Sequence, residues 1–200
     1  MQSVNPAVMQ VFEVMGLTAF SISGAIAAYR RDLDIIGYIA VGVITGIGGG
    51  TIRDVILDRP VFWLNDPYLY SLNICIAASI FTYIVSKFMS YHEKTVNWFD
   101  AVGLALFAVQ GYSMAYAFFE HREVAVVMGV ITGCGGGLFR DICLTRQPFI
   151  FRGELYASAA IIGLISMAFL DSAIIAFCII FALRALAIRY HISLKRDIAS

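Results

Sequence analysis

Charge is scarce in this chain. Asp, Glu, Lys and Arg together make up 14% of its 200 residues, the formal net charge is zero, and 60% of the residues are hydrophobic. Soluble domains average about 25% charged and about 45–50% apolar residues. A short chain cannot hide this much apolar surface in one globular core, so its solvent is lipid. The balanced charge excludes the basic footprint of a nucleic-acid partner. There is no run of five or six like charges and no Ser-, Gln- or Pro-rich tail, which argues against a disordered interaction arm. The four cysteines, Cys75, Cys134, Cys143 and Cys178, lie in apolar segments without CxxC spacing. They read as small buried hydrophobes, not as a disulfide or zinc framework. His92, His121 and His191 fall at loops or helix ends and form no metal cluster. HExxH and GxSxG are absent, and no GK[ST] follows the glycine runs. No catalytic residue, metal or cofactor is therefore expected, and the chain does not read as an enzyme.

What is present is a series of long apolar segments. A spanning helix needs about 20 mostly apolar residues. Seven candidates run Val8–Tyr29, Ile35–Leu57, Tyr68–Met89, Phe99–Phe119, Val124–Leu144, Leu155–Leu170 and Ser172–Tyr190. The opening "MQSVNPAV" lacks the basic region of a cleavable signal, so the first segment is expected to remain a membrane helix. With seven spans, Arg30, Arg31, Lys87, Lys94, Arg146, Arg152, Arg189, Lys195 and Arg196 share one side, and Arg59 and Arg122 the other. The positive-inside rule then places the C-terminus in the cytoplasm and the N-terminus outside.

The chain is also doubled. "TGIGGGTIRDVILDR" at 45–59 returns as "TGCGGGLFRDICLTR" at 132–146, an offset of 87. The same offset carries Glu13 onto Asp100, Gly16 onto Gly103, Phe20 onto Phe107, Gly24 onto Gly111 and Gly42 onto Gly129. Residues 8–89 and 99–170 thus read as two three-helix repeats, with 172–190 as a seventh helix within one membrane domain. Three is an odd number, so the second copy enters the bilayer from the opposite side. Inverted repeats of this kind recur in transporters, where interrupted helices meet near the midplane.

Two readings of the glycines stand open. Gly42, Gly46 and Gly50, like Gly129, Gly133 and Gly137, are spaced by four, a stripe that lets helices pack closely in lipid. The runs Gly48-Gly49-Gly50 and Gly135-Gly136-Gly137 go further, because each Gly costs about 1 kcal/mol in a helix interior. They are expected to break or kink the middle helices at a hydrated, glycine-lined centre, together with Thr45 and Thr132. Alanine at Gly48–Gly50 is then expected to straighten the helix and reduce permeation while the fold survives. From Ile35, Gly49 lies about 21 Å and Arg53 about 27 Å along a straight helix, which sets the Arg-Asp pairs toward two mouths. Arg53-Asp54 and Arg140-Asp141 are either structural ion pairs or gates. Neighbouring side chains point about 100° apart on a helix, so each carboxylate can pair with a basic group on another helix. Glu13 and Asp100, near helix starts, suit the helix dipole or attract cations. Ser21, Ser23, Gln110 and Ser113 line a passage or bond between helices, and Arg184 snorkels, finds an acidic neighbour or meets headgroups.

The doubled GxGGGxxRD motif in a seven-span chain of this length resembles the prokaryotic TRIC (trimeric intracellular cation channel) family, whose bacterial members also carry a duplicated glycine-transporter label. The resemblance covers nearly the whole chain. It implies a homotrimer in a bacterial inner membrane, each protomer having its own pore bounded by kinked second and fifth helices. It implies permeation by potassium, with sodium also conducted. The kinks map to Gly48, Gly49, Gly50, Gly135, Gly136 and Gly137. No TVGYG filter is present. The alternative function is a secondary transporter of a small amino acid such as glycine, since inverted repeats with broken helices suit alternating access equally well.

Overall fold

The computed structural model describes residues 6–65, 69–152 and 155–192. Tyr68, expected to open the third span, and Lys195 and Arg196, counted for orientation, lie outside the described residues. Among these residues the architecture is all-helical: α1 (Pro6–Tyr29), α2 (Ile35–Ile56), α3 (Tyr70–Ser86), α4 (Glu93–Phe119), α5 (Arg122–Cys143), α6 (Ala157–Leu170) and α7 (Ala173–Tyr190), with one 3-10 turn at Phe149–Phe151. By length and composition α1, α2, α4, α5 and α7 can each cross a membrane; α3 and α6 are shorter apolar helices.

The helix ends follow local chemistry. Asp34 caps α2, its carboxylate accepting from the Gly37 N–H at 2.9 Å, and Ser172 caps α7 through the Ile175 N–H. Alanine at Asp34 is expected to cost about 1 kcal/mol, and asparagine almost nothing. Thermal unfolding in detergent checks this; equal melting of the two variants would show that the cap contributes little. α4 begins at Glu93, six residues before the apolar run suggested. Val96 is fully buried there, so the polar-looking "EKTVNW" turns one apolar face inward. α6 stops at Leu170, where Asp171 takes a left-handed backbone with φ 49° and its N–H closes on the Met167 carbonyl.

α1 and α4 pack on each other at the centre. α2 lies on α1, α5 on α4, and α2 crosses α5; α3 leans on α1 and α2, and α6 and α7 flank α4. Contacts recur at the 87-residue offset. Gly24 leaves room for Thr45 and Gly42, as Gly111 does for Thr132 and Gly129. Gly16 faces Phe107 while Gly103 faces Phe20, and those two rings stack at 5.4 Å. Equivalent residues that touch each other reciprocally are what a two-fold relation produces. Large apolar side chains such as Phe81, Phe169, Ile36 and Ile174 point outward, as suits a lipid solvent. Cys143 and Cys178 are exposed with them, contrary to the expectation of four buried thiols; only Cys75 and Cys134 are buried.

One end of the bundle gathers basic residues. Glu93 accepts from Arg146 Nη2 at 2.8 Å and Arg152 Nη1 at 3.1 Å, with Arg30 at 3.9 Å. Three arginines expected on a common face thus converge on one carboxylate.

Candidate functional site

The glycine runs do not interrupt their helices. α2 is helical without a gap from Ile35 to Ile56, and α5 from Arg122 to Cys143. The runs therefore break neither helix, and what they provide is a close crossing. A side chain on Gly49 would strike the Thr132 carbonyl oxygen, and one on Gly136 the Thr45 carbonyl oxygen. A β-carbon on Gly135 would sit 2.9 Å from the Gly49 α-carbon. The helices meet backbone against backbone, with Cα–H groups facing carbonyl oxygens, a weak contact common where helices cross closely. Gly48 faces the Phe139 ring, Gly50 the Phe62 ring, and Gly137 the Tyr156 hydroxyl and Asp100. Thr45 and Thr132 are buried and their hydroxyls donate to carbonyls one turn back, Val41 O and Met128 O, each at 2.6 Å. In this conformation the runs serve close packing. Alanine at Gly48–Gly50 is accordingly expected to disrupt this packing, where the sequence alone suggested straightening with the fold intact.

The Arg-Asp pairs are built the same way in both halves. Arg53 Nε donates to Asp54 Oδ1 at 2.8 Å, and Arg140 Nε to Asp141 Oδ1 at 3.0 Å. The arginine folds back to its own neighbour, so the expected reach of each aspartate to another helix does not occur. The second carboxylate oxygen instead accepts a backbone N–H eight residues on, from Phe62 at 2.9 Å and Phe149 at 3.2 Å. Each phenylalanine ring then lies under its guanidinium, 5.6 Å from Arg53 and 4.7 Å from Arg140. Guanidinium over an aromatic face is favourable, more so when desolvated. Each Asp thus ties the following loop back under its helix.

The second half adds a clamp. Arg140 Nη1 donates to Asp100 Oδ1 at 2.6 Å and to Ser23 Oγ at 2.7 Å, and Arg140, Asp100 and Asp141 are all fully buried. Asp100 stands seven residues inside α4, so its role is to face Arg140, not to meet a helix N-terminus. Arg184 is also fully buried, its guanidinium 4.9 Å from the Tyr156 ring centre and donating to the Leu155 carbonyl at 3.1 Å; it does not snorkel to water. Ser21 is buried, and Ser113 bonds back to Val109 O. Sequence reasoning passed over Phe62, Phe149 and Tyr156. The two phenylalanines were findable, because they too stand 87 apart.

A bundle with five helices among the described residues long and apolar enough to cross a membrane, and with guanidinium–carboxylate pairs sealed inside it, defines a polytopic membrane protein. The family profile described as Glycine transporter matches twice, over residues 10–87 and 97–172. UPF0126 inner membrane protein YadS of Escherichia coli strain K12 is 36% identical, over 91% of this chain and 92% of that one. YvgT, a UPF0126 membrane protein of Bacillus subtilis, is 35% identical over 77% of this chain and 76% of its own length. A solved TRIC trimeric intracellular cation channel orthologue from Rhodobacter sphaeroides superposes with TM-score 0.86 at 33% identity, covering 93% of this chain and all of that one. A prokaryotic TRIC channel solved in 0.5 M KCl gives 0.85 at 32% identity, over 92% and 98% of the two chains. The chain belongs to this prokaryotic TRIC family.

Proposed function

We propose that the protein is a monovalent cation channel, permeable to potassium and also to sodium, with a pathway in each protomer between the two repeats. The observation that carries this reading is the reciprocal α2–α5 crossing, in a fold shared over 93% of this chain with a solved cation channel at 33% identity. In the conformation described, the two helix backbones are in close contact at that crossing. Parting or bending α2 and α5 there would uncover the Thr45 and Thr132 carbonyl oxygens, which now meet glycine α-carbons. Carbonyl oxygens freed inside protein are groups that can replace part of an ion's hydration. The repeats lie inverted in a bacterial inner membrane, N-terminus outside and C-terminus cytoplasmic, and the Arg-Asp pairs stand at the two mouths. Three protomers form the assembly; cross-linking in mild detergent is expected to end at a trimer, and a ladder stopping at a dimer would refute it.

The family's description as a glycine transporter favours a second reading, a carrier. Reconstitution separates the two. The channel reading expects unitary current in planar bilayers and no concentrative glycine uptake into proteoliposomes. Saturable, gradient-driven glycine accumulation without unitary current would overturn it.

A further inference from the structure

Both halves place comparable groups around their arginines, yet only one arginine is clamped. Arg140 is held by Asp100 from α4 and Ser23 from α1. At the 87-residue offset the counterparts are Glu13 on α1 and Gln110 on α4. Arg53 hydrogen-bonds Asp54 alone among the described residues. Glu13 accepts from Ser71 Oγ at 3.4 Å, and the Gln110 amide donates to the Met9 carbonyl at 3.3 Å. Both residues nonetheless carry what a clamp needs, a carboxylate and an amide oxygen, on side chains longer than those of Asp100 and Ser23.

We propose that Glu13 and Gln110 form a second clamp, closing on Arg53 in an alternative conformation in which Asp100 and Ser23 release Arg140. The topology supplies the coupling. α1 and α4 run antiparallel, since Ser23 reaches Val96 O at one end and Gln110 reaches Met9 O at the other. Each clamp takes one residue from each of these helices, and the two clamps sit at opposite ends of the pair. A tilt of α1 and α4 against α2 and α5 therefore brings one set in as the other withdraws. The clamp now engaged is not saturated: Arg140 Nη2, Asp100 Oδ2 and the Tyr156 hydroxyl are buried with no hydrogen-bond partner among the described residues. Unmet polar groups weigh against the conformation that buries them, which keeps the two arrangements close in energy. Packed interfaces of this kind move between discrete arrangements. That the clamps act as gates at two mouths rests on the channel reading; the exchange itself does not.

Thr51 and Leu138 are equivalent, half-buried positions two residues before each arginine. Single reporters, Thr51→Cys and Leu138→Cys, are made with the four native cysteines replaced by alanine, and labelled with a membrane-impermeant maleimide in nanodiscs. With native clamps the Thr51 reporter is expected to react faster. Asp100→Asn should change the ratio of the two rates by at least about fivefold, the lower end of coupling between sites. Adding Glu13→Gln should return the ratio toward its starting value. Ser23→Ala should shift it the same way by less, which keeps the test running if Asp100→Asn does not fold. A ratio unmoved by both Asp100→Asn and Ser23→Ala, or a shift that Glu13→Gln does not reverse, overturns the exchange. Current recorded from the same proteins keeps the two ideas apart: a silent native protein would overturn the channel reading and leave the labelling result standing.

Discussion

Gly49→Ala and Gly136→Ala are expected to melt well below the native protein in detergent. The added β-carbon lands on the Thr132 or Thr45 carbonyl oxygen, and a helix backbone cannot turn aside as a side chain can. Overpacking a tight core costs about 1–3 kcal/mol. Here relief requires separating two helices of 22 residues each, whose contacts extend well beyond one site. A loss of about 3 kcal/mol corresponds to a melting temperature lower by about 6–12 °C for a chain of this size. Gly16→Ala is the control, because its β-carbon would meet the edge of the Phe107 ring at 3.0 Å, and a ring edge can shift. Melting within a degree or two of this control would show that the crossing tolerates separation.

Arg140→Leu is expected to be the most damaging single charge removal. It strands two fully buried carboxylates, Asp100 and Asp141, and leaves Ser23 without its donor. Breaking a buried pair by removing one partner costs about 3–5 kcal/mol. Arg53→Leu strands Asp54 alone, which keeps the Phe62 N–H as Asp141 keeps that of Phe149, and no counterpart of the stranded Asp100 arises. The Arg140 variant should therefore melt below the Arg53 variant. Adding Asp100→Asn to Arg140→Leu should recover part of the loss, since a neutral amide is far cheaper to bury than a lone carboxylate. No recovery in this double-mutant cycle would mean that Asp100 does not depend on Arg140.

Much of the fold was legible because lipid imposes a simple grammar. Apolar length marks the helices, and the offset of 87 aligns glycines whose equivalents touch each other across the crossing. What escaped is contact across the bundle. Gly48–Gly50 look like helix breakers to a reader of propensities, but the space a side chain would need is taken by the Phe139 ring, the α5 backbone and the Phe62 ring in turn, and both helices run on unbroken. Asp54 and Asp141 were read by helix geometry alone. Beyond their own arginines, the partners they find are the Phe62 and Phe149 N–H groups, which lie between helices on a return path no periodicity encodes. Arg184 looked able to reach water, yet Tyr156 and Leu155 hold it inside. Asp100 was visible as the equivalent of Glu13, but its pairing with Arg140 depends on how α4 meets α5.

The central claim, passive cation conduction through the repeat interface, is tested most directly by single-channel recording in planar bilayers under a KCl gradient. Unitary current reversing close to the potassium equilibrium potential is the predicted result. A reversal at the chloride equilibrium potential, or a silent bilayer across the voltage range with verified insertion, would contradict it.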